Sequence, residues 1–130
     1  MSWLDVVTDD RALRAVYRGE EPPPLGRVTV RSIDFQRDGP NVLLWLRLPG
    51  YPEQPPQKWA AQEFDTASLS LLIIDVEQVQ LTGWDVDVVA DVTLERFDDR
   101  ISVRLDSPDC TFSCMAVAVW VQDIRGYRSA

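Results

Sequence analysis

The chain has 130 residues, 45% hydrophobic and 26% charged, within the ordinary range for one globular domain, so neither a disordered nor a fibrous chain is indicated. Its net charge of −8 is unevenly spread: from Trp59 to Glu95 there are eight acids and no Lys or Arg, while the remaining thirteen acids are balanced by thirteen bases. This disfavours binding to nucleic acid, which needs clustered Lys or Arg, and the absence of histidine removes both Ser-His and Cys-His triads and the commonest metal ligand.

The first ten residues, "MSWLDVVTDD", lack the basic start and long apolar stretch of a secretory signal, and no apolar run is long enough for a bilayer. The sequence therefore predicts a cytoplasmic protein with reduced thiols and no membrane partner. "SWLDVV" predicts a turn of helix that docks Trp3 and Leu4 on the core. The stretch "TDDRALRAVYRGEEPPPLG" reads as one short helix, capped by Thr8 or Asp9 and stopped by Gly19 and the prolines, with Leu13, Val16 and Tyr17 on its apolar face.

Beyond the prolines the apolar period changes to two, and strands are predicted at about 26–36, 41–48, 68–76, 78–84, 86–97, 100–106 and 111–123. "RDGPN" and "DD" supply tight turns at 37–41 and 98–99. The apolar parity slips between Val30 and Ile33 and between Ile74 and Val79, which predicts bulges or bends there. The proline-rich segment "LPGYPEQPPQKWAAQEFD" reads as a long loop, and the last strand, apolar on both parities in "FSCMAVAVWV", as a central one. Antiparallel hairpins after a single helix give an α+β fold: one domain over 1–130, with the short N-terminal helix packed on a mostly antiparallel, meandering sheet.

Chemistry-bearing groups are sparse. The six glycines are scattered and form no phosphate loop. On one strand Cys110 and Cys114 stand about 13 Å apart, too far for a disulfide, and two thiols without further ligands do not complete a zinc site. They read as small buried fillers. No metal, cofactor or catalytic residue is assigned, and the sequence reads as a non-enzyme.

The segment "DVDVVADVTLE" places Asp85, Asp87, Asp91 and Glu95 on one parity and Val86, Val88, Ala90, Val92 and Leu94 on the other. Asp85 and Asp87 sit near enough on a strand to share a hard cation, but the segment lacks the glycine-turned loop of a calcium site, and no sugar cleft frames a carboxylate pair. A plain solvated strand face is the third reading, yet such a face normally intersperses bases, and this stretch has none. The reading preferred here is a docking face for a basic partner, formed by Asp75, Glu77, Asp85, Asp87, Asp91 and Glu95, with the valines and Leu94 facing the core. Among the five tryptophans, Trp45 and Trp120 are expected in the core.

The order of features resembles a known family. A Trp near the start, a short helix ending in "VYRGEEPPPL", a hairpin, then "PPQKW" and "LLIIDVEQVQLTGW" are similar to the immunity protein 50 family of bacterial polymorphic toxin systems. The resemblance implies an α+β fold, no catalytic residues, and a cognate toxin domain as the partner to be bound and blocked. It brings Trp59 and Trp84 forward, as partner-binding positions or equally as core or loop anchors. A basic nuclease is one toxin that the acidic face would fit. The competing readings are a small-molecule-binding β-rich domain with a pocket lined by Trp and Pro, and a subunit of a larger assembly or homo-oligomer joined through strand edges.

Overall fold

The computed structural model describes residues 3–129. A 3-10 turn at Trp3–Asp5 buries Trp3 and Leu4, as expected. Helix α1 covers Arg11–Val16 and buries Leu13 and Val16. Its N-cap is Asp10, not Thr8 or Asp9, and no side chain caps it. The two expected caps are engaged elsewhere: Asp9 accepts from Arg11 Nε at 2.8 Å, and Thr8 bridges to the last strand, its N–H donating to Val119 O at 2.8 Å.

Eight strands follow: β1 (Val28–Gln36), β2 (Asn41–Arg47), β3 (Thr66–Ile74), β4 (Glu77–Thr82), β5 (Val88–Phe97), β6 (Arg100–Asp106), β7 (Thr111–Ala116) and β8 (Ala118–Tyr127). All pair antiparallel in one sheet of order β4-β7-β6-β5-β1-β2-β3-β8. The fold is therefore the α+β class expected, dominated by sheet. The parity slip at Val30 is a register shift between Val30 and Ser32 where β1 pairs with β2.

The slip between Ile74 and Val79 is likewise met: β3 stops at Ile74, the chain bends at Asp75, whose φ is 54°, and β4 begins with a register shift between Glu77 and Gln80. Three other expectations fail, each for a physical reason. The last strand is two, β7 and β8, divided at Val117, whose N–H donates to Ile74 O at 3.0 Å. β3–β4 and β7–β8 thus form one long ribbon, Ile74 facing Ala118 and Glu77 facing Met115, bent at a shared corner. The mixed parity of "FSCMAVAVWV" comes from this change of face, and β8 lies at an edge of the sheet, not at its centre. Finally, the 49–65 connection contains helix α2 at Gln57–Ala61, entered from Pro56, although no regular structure was expected there.

The bent ribbon, and the short β1–β5 pairing over Val28–Val30, divide the sheet into two halves: β8-β3-β2-β1 and β5-β6-β7-β4. Their inward residues form one continuous apolar cluster; Phe35 of β1 meets Phe112 of β7 edge to face at 6.1 Å, and β6 reaches β8. The sheet is folded over upon itself, and each fully buried Leu, such as Leu44, Leu69 or Leu105, contributes about 1.5–3 kcal/mol. Cys110 and Cys114 are free, buried members of that core, as expected of fillers. Burial pushes the Cys114 thiol up to about 12. What remains for function is the two outward faces and the loops at their ends.

Candidate functional site

The outward face of the second half carries the acids. In β5 the alternation is as expected from Val88 onward: Val88, Ala90, Val92 and Leu94 are buried, and Asp91 and Glu95 are exposed. The strand begins at Val88, however, so residues 83–87 form a loop from β4 to β5. Val86, expected in the core, is 92% exposed. The cause is topological. β4 and β5 stand at opposite sides of this half-sheet, and the connection must cross the ends of β7 and β6 to join them. Gly83 makes that crossing at φ 77°, so close to the β6–β7 turn that an added Cβ would lie 2.3 Å from Asp109 O.

The crossing builds an acidic end to the sheet. Asp85 and Asp87 are exposed in the loop, and Asp91 of β5 faces Asp106 of β6 in register. Asp109 belongs to the turn beneath Gly83. Two exposed apolar side chains, Trp84 and Val86, stand in the same loop. Asp91 also supports the fold, because its Oδ1 accepts from Arg27 N at 2.9 Å and fixes the entry to β1.

The remaining acids of the expected face lie elsewhere. Asp75 sits at the ribbon corner, where its N–H donates to Asn41 Oδ1 at 3.2 Å, and Glu77 pairs with Arg100 at 3.3 Å. Glu95 shares its cross-strand row with Ser102 and Met115 of β6 and β7 and with Glu77, at the end of the half-sheet away from the loop. Trp59 is on the other half altogether. It packs from α2 against Gly126 of β8, with the Tyr51 ring 6.0 Å away, so it anchors the 49–65 connection and is not grouped with the acids. Among the described residues, no three acids or cysteines form a metal-holding group.

Sequence reasoning missed the opposite face. On the outward side of β8-β3-β2-β1, Thr29, Arg47, Ser68 and Arg125 form one cross-strand row, and Ser32, Trp45, Ser70 and Asp123 the next. Arg31 lies over the Tyr127 ring at 5.1 Å and Arg125 over Trp45 at 5.9 Å. The sequence signal was present as an arginine near an aromatic at outward parity, in "LWLRL" and "RGYRS". Only the strand order shows that these segments are neighbours.

Residues 10–127 match the family model of immunity protein 50. No curated protein matches, and no solved structure does. The match spans nearly the whole chain, and the chain belongs to the immunity protein 50 family.

Proposed function

We propose that this member of the immunity protein 50 family neutralises a cognate toxin domain by stoichiometric binding, and that the acidic end around the 83–87 loop is its docking surface. The observation that carries the reading is the composition of that loop: Trp84 and Val86 exposed among Asp85, Asp87, Asp91 and Asp106. An apolar centre ringed by charge is how a protein interface is commonly built, with an aromatic anchor supplying affinity and the charges supplying steering. A basic groove, such as that of a nuclease, is the complementary surface. The chain without histidine offers no imidazole as general base for turnover, and the binding reading needs none.

The test uses the toxin domain encoded beside this protein. Asp85→Lys with Asp87→Lys removes the steering charge and leaves the strands untouched, because both residues lie outside them. Association should slow by roughly tenfold or more at low salt and less at high salt, since screening acts over about 8 Å at about 0.15 M. Trp84→Ala should instead speed dissociation. Asp91 is left out of the charge reversal, because its bond to Arg27 N would be lost with it. Association rates equal to wild type and indifferent to salt, with Trp84→Ala also silent, would discard this surface.

A further inference from the structure

The arginine-bearing face is a site of its own. We propose that the outward face of β1, β2, β3 and β8 binds a small phosphorylated ligand with a flat ring, of nucleotide type. Charge is the first observation. Five of the thirteen bases of this acidic chain, Arg27, Arg31, Arg47, Arg125 and Arg128, gather on or beside this face. Arg125 is matched by Asp123 and Arg128 by Glu63, but Arg27, Arg31 and Arg47 have no carboxylate within ion-pair distance among the described residues. Asp65 answers Arg47 from beyond ion-pair distance, and like charges held side by side repel unless further anions answer them.

Shape is the second observation. Arg31, Trp45, Ser68, Arg125 and Tyr127 line an open hollow of about 700 Å³, within the size range of small-molecule sites. Its floor is made small by Ser32, Ser68 and Gly126, and its walls by two aromatic rings. Both ring faces carry a guanidinium, Arg31 over Tyr127 and Arg125 over Trp45, and a flat ring stacks on such a guanidinium plane in turn. A guanidinium has its donors in a rigid planar fork that suits phosphate oxygens, and an arginine resting on an aromatic ring is held ready to use it. A second hollow of about 230 Å³ adjoins across Thr29 and Arg47, where a phosphate tail would reach Arg27 and Arg47. The Tyr51 hydroxyl, buried and without a hydrogen-bond partner among the described residues, belongs to a residue lining this second hollow.

Size decides between a nucleotide and a longer polyanion. Asp65 and Asp123 stand at this face, and the whole chain carries −8, so each further phosphate beyond the arginines meets repulsion. An acidic peptide that added as a strand would pair at the outer edge of β8, beside this face and not across the hollow, because β2 and β3 are paired on both sides.

Calorimetric titration of the full chain with adenosine triphosphate, inorganic triphosphate, adenosine and a single-stranded oligonucleotide tests the proposal. The nucleotide should bind saturably, and more tightly than either triphosphate or adenosine alone. Arg31→Ala and Arg47→Ala should each weaken it roughly tenfold or more, through loss of charge-assisted bonds. Arg104→Ala on the opposite face should change nothing. Both target side chains are exposed, so unaltered circular dichroism is expected, and Arg31→Lys, which keeps the charge but loses the fork, gives an intermediate loss if Arg31→Ala fails to fold. Absence of saturable nucleotide binding, binding indifferent to Arg31 and Arg47, or tight binding of the oligonucleotide alone would each overturn the assignment. Toxin binding by the same variants separates this result from the acidic-end reading, which it neither needs nor tests.

Discussion

Tryptophan illustrates how little residue type says about depth. Trp45 and Trp120 read as core from a strand pattern, yet Trp120 is 40% exposed and Trp45 is half-buried on the outward face beneath Arg125. The buried one is Trp3, whose indole N–H donates to Pro23 O at 3.1 Å while its ring closes one end of the core. Period-two reading places Trp45 correctly opposite Val42, Leu44 and Leu46, all fully buried, and that parity alone argues for the outward side. Trp3→Ala should cost about 3–5 kcal/mol, the scale for deleting a buried large aromatic, while Trp120→Ala should cost about 1–2 kcal/mol, because much of its surface already meets water. Urea denaturation of the two variants checks the order. A larger loss at Trp120 would mean that its packing on the sheet, and not Trp3, closes the core.

Among the elements, β5 was legible because its alternation survives without interruption from Val88 to Leu94, a pattern that only a half-buried strand needs. The alternation of Asp85, Val86 and Asp87 continues the same pattern into a segment with no strand to belong to. Periodicity is a local signal. It cannot register that the partner strand has already ended and that the chain must cross to the other side of the half-sheet. The β7–β8 break was hidden for the opposite reason: an apolar run without alternation conceals the point where a ribbon turns its other face inward. Gly83 was the one local clue to the crossing, since a glycine after an apolar strand marks close approach or positive φ. Gly83→Ala combines an unfavourable φ with a Cβ thrust against the Asp109 carbonyl. It should destabilise the protein by about 1–3 kcal/mol and loosen the acidic loop. Denaturant unfolding, with hydrogen exchange at the 83–87 amides, reads both effects. A neutral substitution with unchanged exchange would show that the crossing is not held by this approach.

At the scale of the whole molecule, the fold separates charge that the sequence only partly separates. The basic-free stretch from Trp59 to Glu95 was plain in the sequence, but the arginine face draws on β1, β2 and β8, with Arg31 and Arg125 far apart along the chain, and becomes a face only when the sheet forms. Response to pH is a whole-molecule property of the same kind. Burial pushes the Cys114 thiol from its ordinary 9.0, and the Tyr17 hydroxyl from 10.0, each up to about 12; Tyr17 also donates to Gly50 O at 2.7 Å. Both groups hold protons in the folded chain that the unfolded chain releases earlier. Their contribution is therefore complete below about pH 9 and is lost as pH climbs toward 12, at about 1.4 kcal/mol per pH unit for each proton. On the acid side the signs reverse. The Arg11 side chain holds the Asp9 carboxyl down at about 2, and the Ser129 N–H lowers that of Asp65, so both favour the fold above the usual carboxylate range and cease to as pH falls. Those two carboxylates are exposed and screened, and acidification toward the isoelectric point near 4.4 relieves the repulsion of a −8 chain. Stability should accordingly fall more steeply from about pH 9 to 11 than from about pH 7 to 5. Urea unfolding across both ranges measures this, with Cys114→Ala and Tyr17→Phe as controls that begin at their own stability but each lose less on the alkaline side. Alkaline slopes identical to wild type in both variants would place the titrating groups elsewhere in the core.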